Sequence, residues 1–127
     1  MKHWCDLTEK FSKVHFIFDT KMAAFHEELE LLYGEEYQWL MDGGHIRHFH
    51  VNDYAGGYKD WKNLRTLPIG KGHVDFQRFF TYLREKGYDG TFTVEATAFD
   101  AEGAVDIEML NGQFARIRDA MGRTAEG

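Results

Sequence analysis

The chain has 127 residues, 43% of them hydrophobic and 16% aromatic, which is enough apolar material for the core of one domain. Its formal net charge of -6 excludes the basic face that a phosphate-backbone binder needs, so nucleic acid is not an expected partner. One cysteine, Cys5, allows no internal disulfide and no Cys-rich zinc site. No apolar run approaches the ~20 residues that span a bilayer, and Met1-Lys2-His3-Trp4 does not begin a secretion signal, so a soluble, cytoplasmic protein without membrane partners is expected.

Residues Cys5 to Ser12 are polar and mixed, and read as the closing turns of a helix. Val14-His15-Phe16-Ile17-Phe18-Asp19-Thr20 is a dense β-branched and aromatic run. It predicts a buried strand ending in a carboxylate, with His15, Ile17 and Asp19 on one face. From Ala23 to about Met41, the residues Phe25, Leu29, Leu32, Tyr33, Tyr37 and Leu40 recur at helical spacing. Gly34 is a candidate break, and Asp42-Gly43-Gly44 ends the segment.

His45 to Asp53 predicts the central strand. Ile46, His48, His50 and Asn52 share one face, while Arg47, Phe49 and Val51 share the other. Two imidazoles two residues apart can present nitrogens to a metal ion; they can equally be soluble histidines on a surface strand. The stretch from Tyr54 to His73 holds the only proline and four glycines and reads as a long substrate-side loop. Asp75 is an N-cap candidate for a helix with Phe76, Phe79, Phe80 and Leu83 on its apolar face, ending at Gly87. Thr91 to Thr97 is a third strand, with Thr91, Thr93 and Glu95 on one face and Phe92 and Val94 on the other. A last helix runs from about Val105 to Met121.

Strand and helix alternate three times, which implies parallel strands joined by right-handed crossovers, with helices outside. Each strand carries a candidate ligand at its C-terminal edge: Asp19, His50 and Glu95. In parallel α/β folds that edge is where ligands bind.

Asp19-Thr20, His48-Phe49-His50, Leu67-Pro68-Ile69-Gly70-Lys71-Gly72 and Tyr88-Asp89-Gly90 leading to Glu95 together resemble the xylose-isomerase-like TIM-barrel superfamily. The resemblance covers about Val14 to Phe99. It implies an α/β fold in which residues 1–127 are a single domain, the C-terminal portion of a (β/α) barrel equivalent to strands 6–8. It further implies a sugar isomerase or epimerase acting on a small sugar or sugar phosphate, with one divalent metal (Mn, Co, Mg or Zn). Asp19, His50 and Glu95 match the family's metal ligands, and Glu95 its proton-exchanging base; His48, Asn52 and Lys71 stand at substrate-binding or supporting positions.

The departures from the family pattern are specific. The epimerases carry a histidine where this chain has Met22, and His26, a turn further on, is a poor substitute. Lys-Asp is replaced by Asn52-Asp53, and the first metal-binding glutamate has no counterpart. A complete barrel needs roughly 200–250 residues, so open sheet edges are expected to pair with copies of the chain or with a complementing chain. The alternatives are a non-catalytic, truncated or oligomer-forming barrel module and, against the acidic charge balance, a metal-dependent DNA-repair endonuclease.

Overall fold

The structure, a computed structural model, describes residues 4–11, 13–57, 59–94 and 102–122. After helix α1 (Trp4–Lys10), strands β1 (Phe16–Asp19), β2 (Ile46–Val51) and β5 (Thr91–Val94) form one parallel sheet with β2 in the middle. Asp19 pairs with His50, and His50 with Thr93, so the ends of the three strands lie side by side. The parallel α/β architecture expected from the alternation is therefore present.

Alternation along the strands separates the two faces of the sheet. Phe18, Phe49 and Val51 point under the helices and are buried, whereas Ile17 on the opposite face is 57% exposed. Phe49 is the hub. Its ring lies 5.7 Å from Phe18, 5.3 Å from Phe79, 4.9 Å from Tyr88 and 6.1 Å from Phe92.

Two expectations are corrected by the structure. The segment from Ala23 to Met41 is not one helix but α2 (Thr20–Phe25), α3 (Leu29–Tyr33), a 3-10 turn at Glu35–Tyr37 and α4 (Gln38–Asp42). Glu27 sits at φ 56 and Gly34 is extended, at ψ 159, so the helical path breaks twice. Phe25, Leu32 and Leu40 are nevertheless all fully buried, because short pieces can present the same apolar stripe. The second correction concerns Tyr54 to His73, which is not a plain loop. It contains most of an antiparallel hairpin of β3 (Asp53–Ala55) and β4 (Arg65–Leu67), with Tyr54 opposite Thr66.

Helix α5 (Phe76–Glu85) starts where Asp75 accepts the Arg78 N–H at 3.1 Å, and it buries Phe76, Phe79, Phe80 and Leu83 as expected. Helix α6 (Ile107–Ala120) is capped in the same way by Asp106, which accepts from the Met109 N–H at 3.0 Å. Among the described residues no helix is long and apolar enough to cross a membrane.

Candidate active site

The C-terminal edge of the sheet brings Asp19 and His50 together because their strands are adjacent, parallel and in register at those residues. The two oxygens of Asp19 are divided between tasks. Oδ1 accepts the Met22 N–H at 3.0 Å and caps α2, while Oδ2 lies 4.0 Å from His50 Nδ1. The side chains of His50 and Asp19 are 33% and 23% exposed, so both reach solvent from a partly enclosed edge. Capping α2 and ligating an ion would thus be compatible roles for Asp19, each using a different oxygen.

His48 lies on the same face, one alternation earlier. Its Nδ1 is 2.6 Å from Thr91 Oγ1 and its Nε2 is 2.7 Å from Thr93 Oγ1. Both ring nitrogens are thereby tied to β5. Its pKa is lowered, first by burial and then by the neighbouring His50, whose ring centroid is 5.3 Å away. Both effects favour the neutral imidazole, which has one donor and one acceptor for the two hydroxyls.

Asn52 is buried at the exit of β2. Its N–H donates to Thr20 Oγ1 at 3.0 Å, and the Thr20 hydroxyl donates to its carbonyl at 2.8 Å. This reciprocal pair ties the start of α2 to the end of β2, and so fixes Asp19 relative to His50. Lys71 is exposed on the turn that follows Pro68. Glu95 lies outside the described residues.

Asp53, which the sequence reading noted only as part of a departure, anchors the whole edge. It is 0% exposed, and its carboxylate accepts four backbone N–H groups. Tyr54 and Val74 donate to Oδ1 at 3.0 and 2.9 Å; Gly70 and Gly72 donate to Oδ2 at 3.1 and 2.9 Å. The glycines are required by space and conformation. Gly70 has φ +84, and a Cβ at Gly72 would collide with the Tyr54 carbonyl oxygen and come within 2.6 Å of Asp53 Oδ1. From the other side, α6 holds Ile69: Arg116 donates to its carbonyl at 2.9 Å, and the buried Gln113 accepts from its N–H at 3.4 Å. Lys21 reaches the hairpin as well, donating to Thr66 Oγ1 at 3.1 Å.

The donor set suits a divalent cation. A carboxylate oxygen and an imidazole nitrogen are ligands common to Mn, Co and Zn sites, and Asp19 and His50 are the described side chains that would offer them. Among the described residues no cluster of three or more His, Cys, Asp or Glu stands at ligating distance.

Three parallel strands with external helices, and polar side chains gathered at their C-terminal edge, define a segment of a (β/α) barrel. Residues 1–120 match the xylose isomerase-like TIM barrel family, and the chain belongs to it. It is similar to the L-ribulose-5-phosphate 3-epimerase UlaE of Shigella sonnei (strain Ss046), at 31% identity over 83 residues, which are 65% of this chain and 28% of that enzyme. The L-ribulose-5-phosphate 3-epimerases UlaE of Escherichia coli (strain ATCC 8739) and Salmonella paratyphi B (strain ATCC BAA-1250 / SPB7) are each 37% identical over 59 residues, 46% of this chain and 19% of theirs. The chain thus spans less than a third of the length of these relatives.

Proposed function

We propose that this chain carries the C-terminal part of the active site of a divalent-metal-dependent sugar-phosphate epimerase or isomerase. The observation that carries the reading is the pairing of Asp19 Oδ2 with His50 Nδ1 at the C-terminal edge of adjacent parallel strands. The similarity to ketose-phosphate 3-epimerases supports the substrate class.

In this reading Asp19, His50 and Glu95 hold the ion. A divalent cation supplies polarisation of the substrate carbonyl, which acidifies the neighbouring C–H. Glu95, which follows Val94 directly in the sequence, exchanges that proton. Asp19 and His50 keep their places through the Thr20–Asn52 pair, and His48 holds β5, whose last residue, Val94, precedes Glu95 in the sequence, beside β2. Inverting a carbon requires a second proton donor on the opposite face of the substrate. The open inner face, with Ile17 57% exposed, and the edges of β1 and β5, which pair with no further strand among the described residues, are where we place the strands that supply it, from a complementing chain or further copies of this one.

The test uses the full chain. Calorimetric titration with Mn2+ is expected to give saturable binding with about one ion per chain, weakened at least tenfold, or about 1.4 kcal/mol, in His50→Ala and in Asp19→Asn. Asn can still cap α2, so Asp19→Asn separates ligation from stability. Light scattering on the metal-saturated protein gives the assembly state. Solvent deuterium entering L-ribulose 5-phosphate beside its carbonyl reports the proton transfer. Absence of both metal binding and deuterium uptake refutes the reading.

A further inference from the structure

Beside the Asp19–His50 pair lies a cavity of about 230 Å³ lined by Ile17, Asp19, Met22, His26 and Glu28 among others. It is smaller than the roughly 300–1,000 Å³ pockets that enclose drug-sized ligands, and its size suits a short sugar chain better than a nucleotide. His26 forms part of its wall. Helix α2 runs from Asp19 at its N-cap to His26 at its C-cap, so the two residues mark opposite ends of one short helix. At ~1.5 Å per residue the seven steps from Asp19 to His26 separate them by about 10 Å, comparable with the length of an extended pentose phosphate.

Trp61, from the tip of the β3–β4 hairpin, stands over His26. Its ring lies 5.7 Å from His26 and 4.7 Å from Phe25, yet Trp61 remains 60% exposed. Its position is built. Asp60, Trp61 and Asn63 donate their N–H groups to Gly57, Lys59 and Asp60, and the Asn63 amide bonds Asp60 Oδ2 at 2.7 Å. Gly56 at φ +120 allows the close return of the chain, since a Cβ there would meet the Asn63 carbonyl at 2.9 Å. A hairpin tip that presents a largely bare indole next to a cavity leaves an apolar face available to a ligand. Lys59 and Lys62, both exposed, flank it.

We infer that Trp61 and His26 bind the end of the sugar remote from the reacting carbon. The indole stacks on the C–H face of that end, and the imidazole hydrogen-bonds its terminal oxygen, whether hydroxyl or phosphate. Both are specificity residues rather than catalytic ones. The inference rests on the epimerase reading, because it assumes that a sugar carbonyl lies at Asp19 and His50.

The test is the indole N–H signal of Trp61 in 1H–15N spectra of the full chain with Mg2+, assigned with Trp61→Phe. The chain has three tryptophans, and Trp39, packed on His45 just ahead of β2, serves as the internal control. Titration with L-ribulose 5-phosphate is expected to shift the Trp61 signal saturably and leave that of Trp39 in place. Phe at position 61 keeps a ring against Phe25, and the variant is expected to remain folded but bind about tenfold more weakly, with His26→Gln weakening binding similarly. Parallel titration with L-ribulose distinguishes the two terminal oxygens: equal shifts assign a hydroxyl contact, and a response only to the phosphorylated sugar assigns phosphate. Binding that shifts His50 but not Trp61 overturns the inference and leaves the epimerase reading standing. If neither sugar binds the metal-loaded protein, both are overturned.

Discussion

Replacing Asp53 with Asn changes one atom and tests what holds the substrate-side edge together. The carboxylate accepts four N–H groups, two on each oxygen, and is fully buried. An amide of the same shape keeps one acceptor oxygen. With that oxygen toward Tyr54 and Val74, both of which are buried and cannot turn to water, its NH2 meets the Gly70 and Gly72 donors head-on. A hydrogen bond to a charged group contributes about 1.5–3 kcal/mol, so losing two costs about 3–6 kcal/mol before rehydration. Gly70 and Gly72 are exposed and recover part of this from water, leaving a net cost of about 3 kcal/mol. Against a total stability of about 5–15 kcal/mol for a typical domain, that should move the urea midpoint down clearly without unfolding the chain. The loss should be local as well as global. Amide exchange at Gly70, Gly72 and Val74 is expected to speed up more than exchange at Phe49 in the centre of β2. A midpoint within about 0.5 kcal/mol of wild type, with unchanged protection at Gly72, would refute the idea that Asp53 organises this edge.

Three further outcomes follow from the same geometry. Gly72→Ala forces a Cβ against the Tyr54 carbonyl and Asp53, and is expected to cost about 1–3 kcal/mol in urea unfolding, as overpacking does. His48→Ala removes both hydroxyl contacts to β5 and should lower stability by about 1–2 kcal/mol, with amide exchange in Thr91–Val94 rising more than in β1; uniform exchange would contradict a clamp. Burial raises the Tyr33 pKa above its ordinary 10.0, against the opposing pull of Arg78, whose guanidinium lies 4.2 Å from the ring centre. The unfolded chain therefore releases this proton first, so the contribution of Tyr33 to stability is complete below pH 10.0 and declines above it; Tyr33→Phe should flatten the fall in urea midpoint between pH 9 and 11.

What could be read from the sequence was what local pattern encodes. Period-two alternation in Phe16–Asp19 and Ile46–Val51 separated the helix-facing phenylalanines from Asp19, His48 and His50, and the alternation of strand with helix gave the parallel edge where Asp19 and His50 meet. Asp75 was legible as a cap for the same reason: its partner is three residues away. The elements missed are those set by distant partners or by very short pieces. Strands β3 and β4 have three residues each, too few to show a period, and they are paired across nine intervening positions rich in glycine and polar residues.

Asp53 illustrates the deeper limit. Its four partners are backbone N–H groups, which every non-proline residue carries, so no side-chain pattern announces them. The same residue explains why the glycines at 70 and 72 recur two apart. Both donate to Asp53 Oδ2, Gly72 leaving room for the Tyr54 carbonyl and Gly70 for the Arg116 guanidinium, and Ile69 between the turn and α6 is gripped by Gln113 and Arg116. The edge holding Asp19 and His50 is accordingly rigid from its own contacts, through Thr20 with Asn52 on one side and Asp53 with its loop on the other, even where the inner face of the sheet is open. A barrel segment built this way presents the Asp19–His50 pair already in place to whatever strands complete it, so, if the pair binds the ion as proposed, complementation should change metal affinity by adding donors rather than by reshaping the pair. Adding a complementing five-strand segment should therefore tighten Mn2+ binding while leaving the amide shifts of Thr20 and Asn52 in place; large shifts at those two residues would show that the pair is remodelled on assembly.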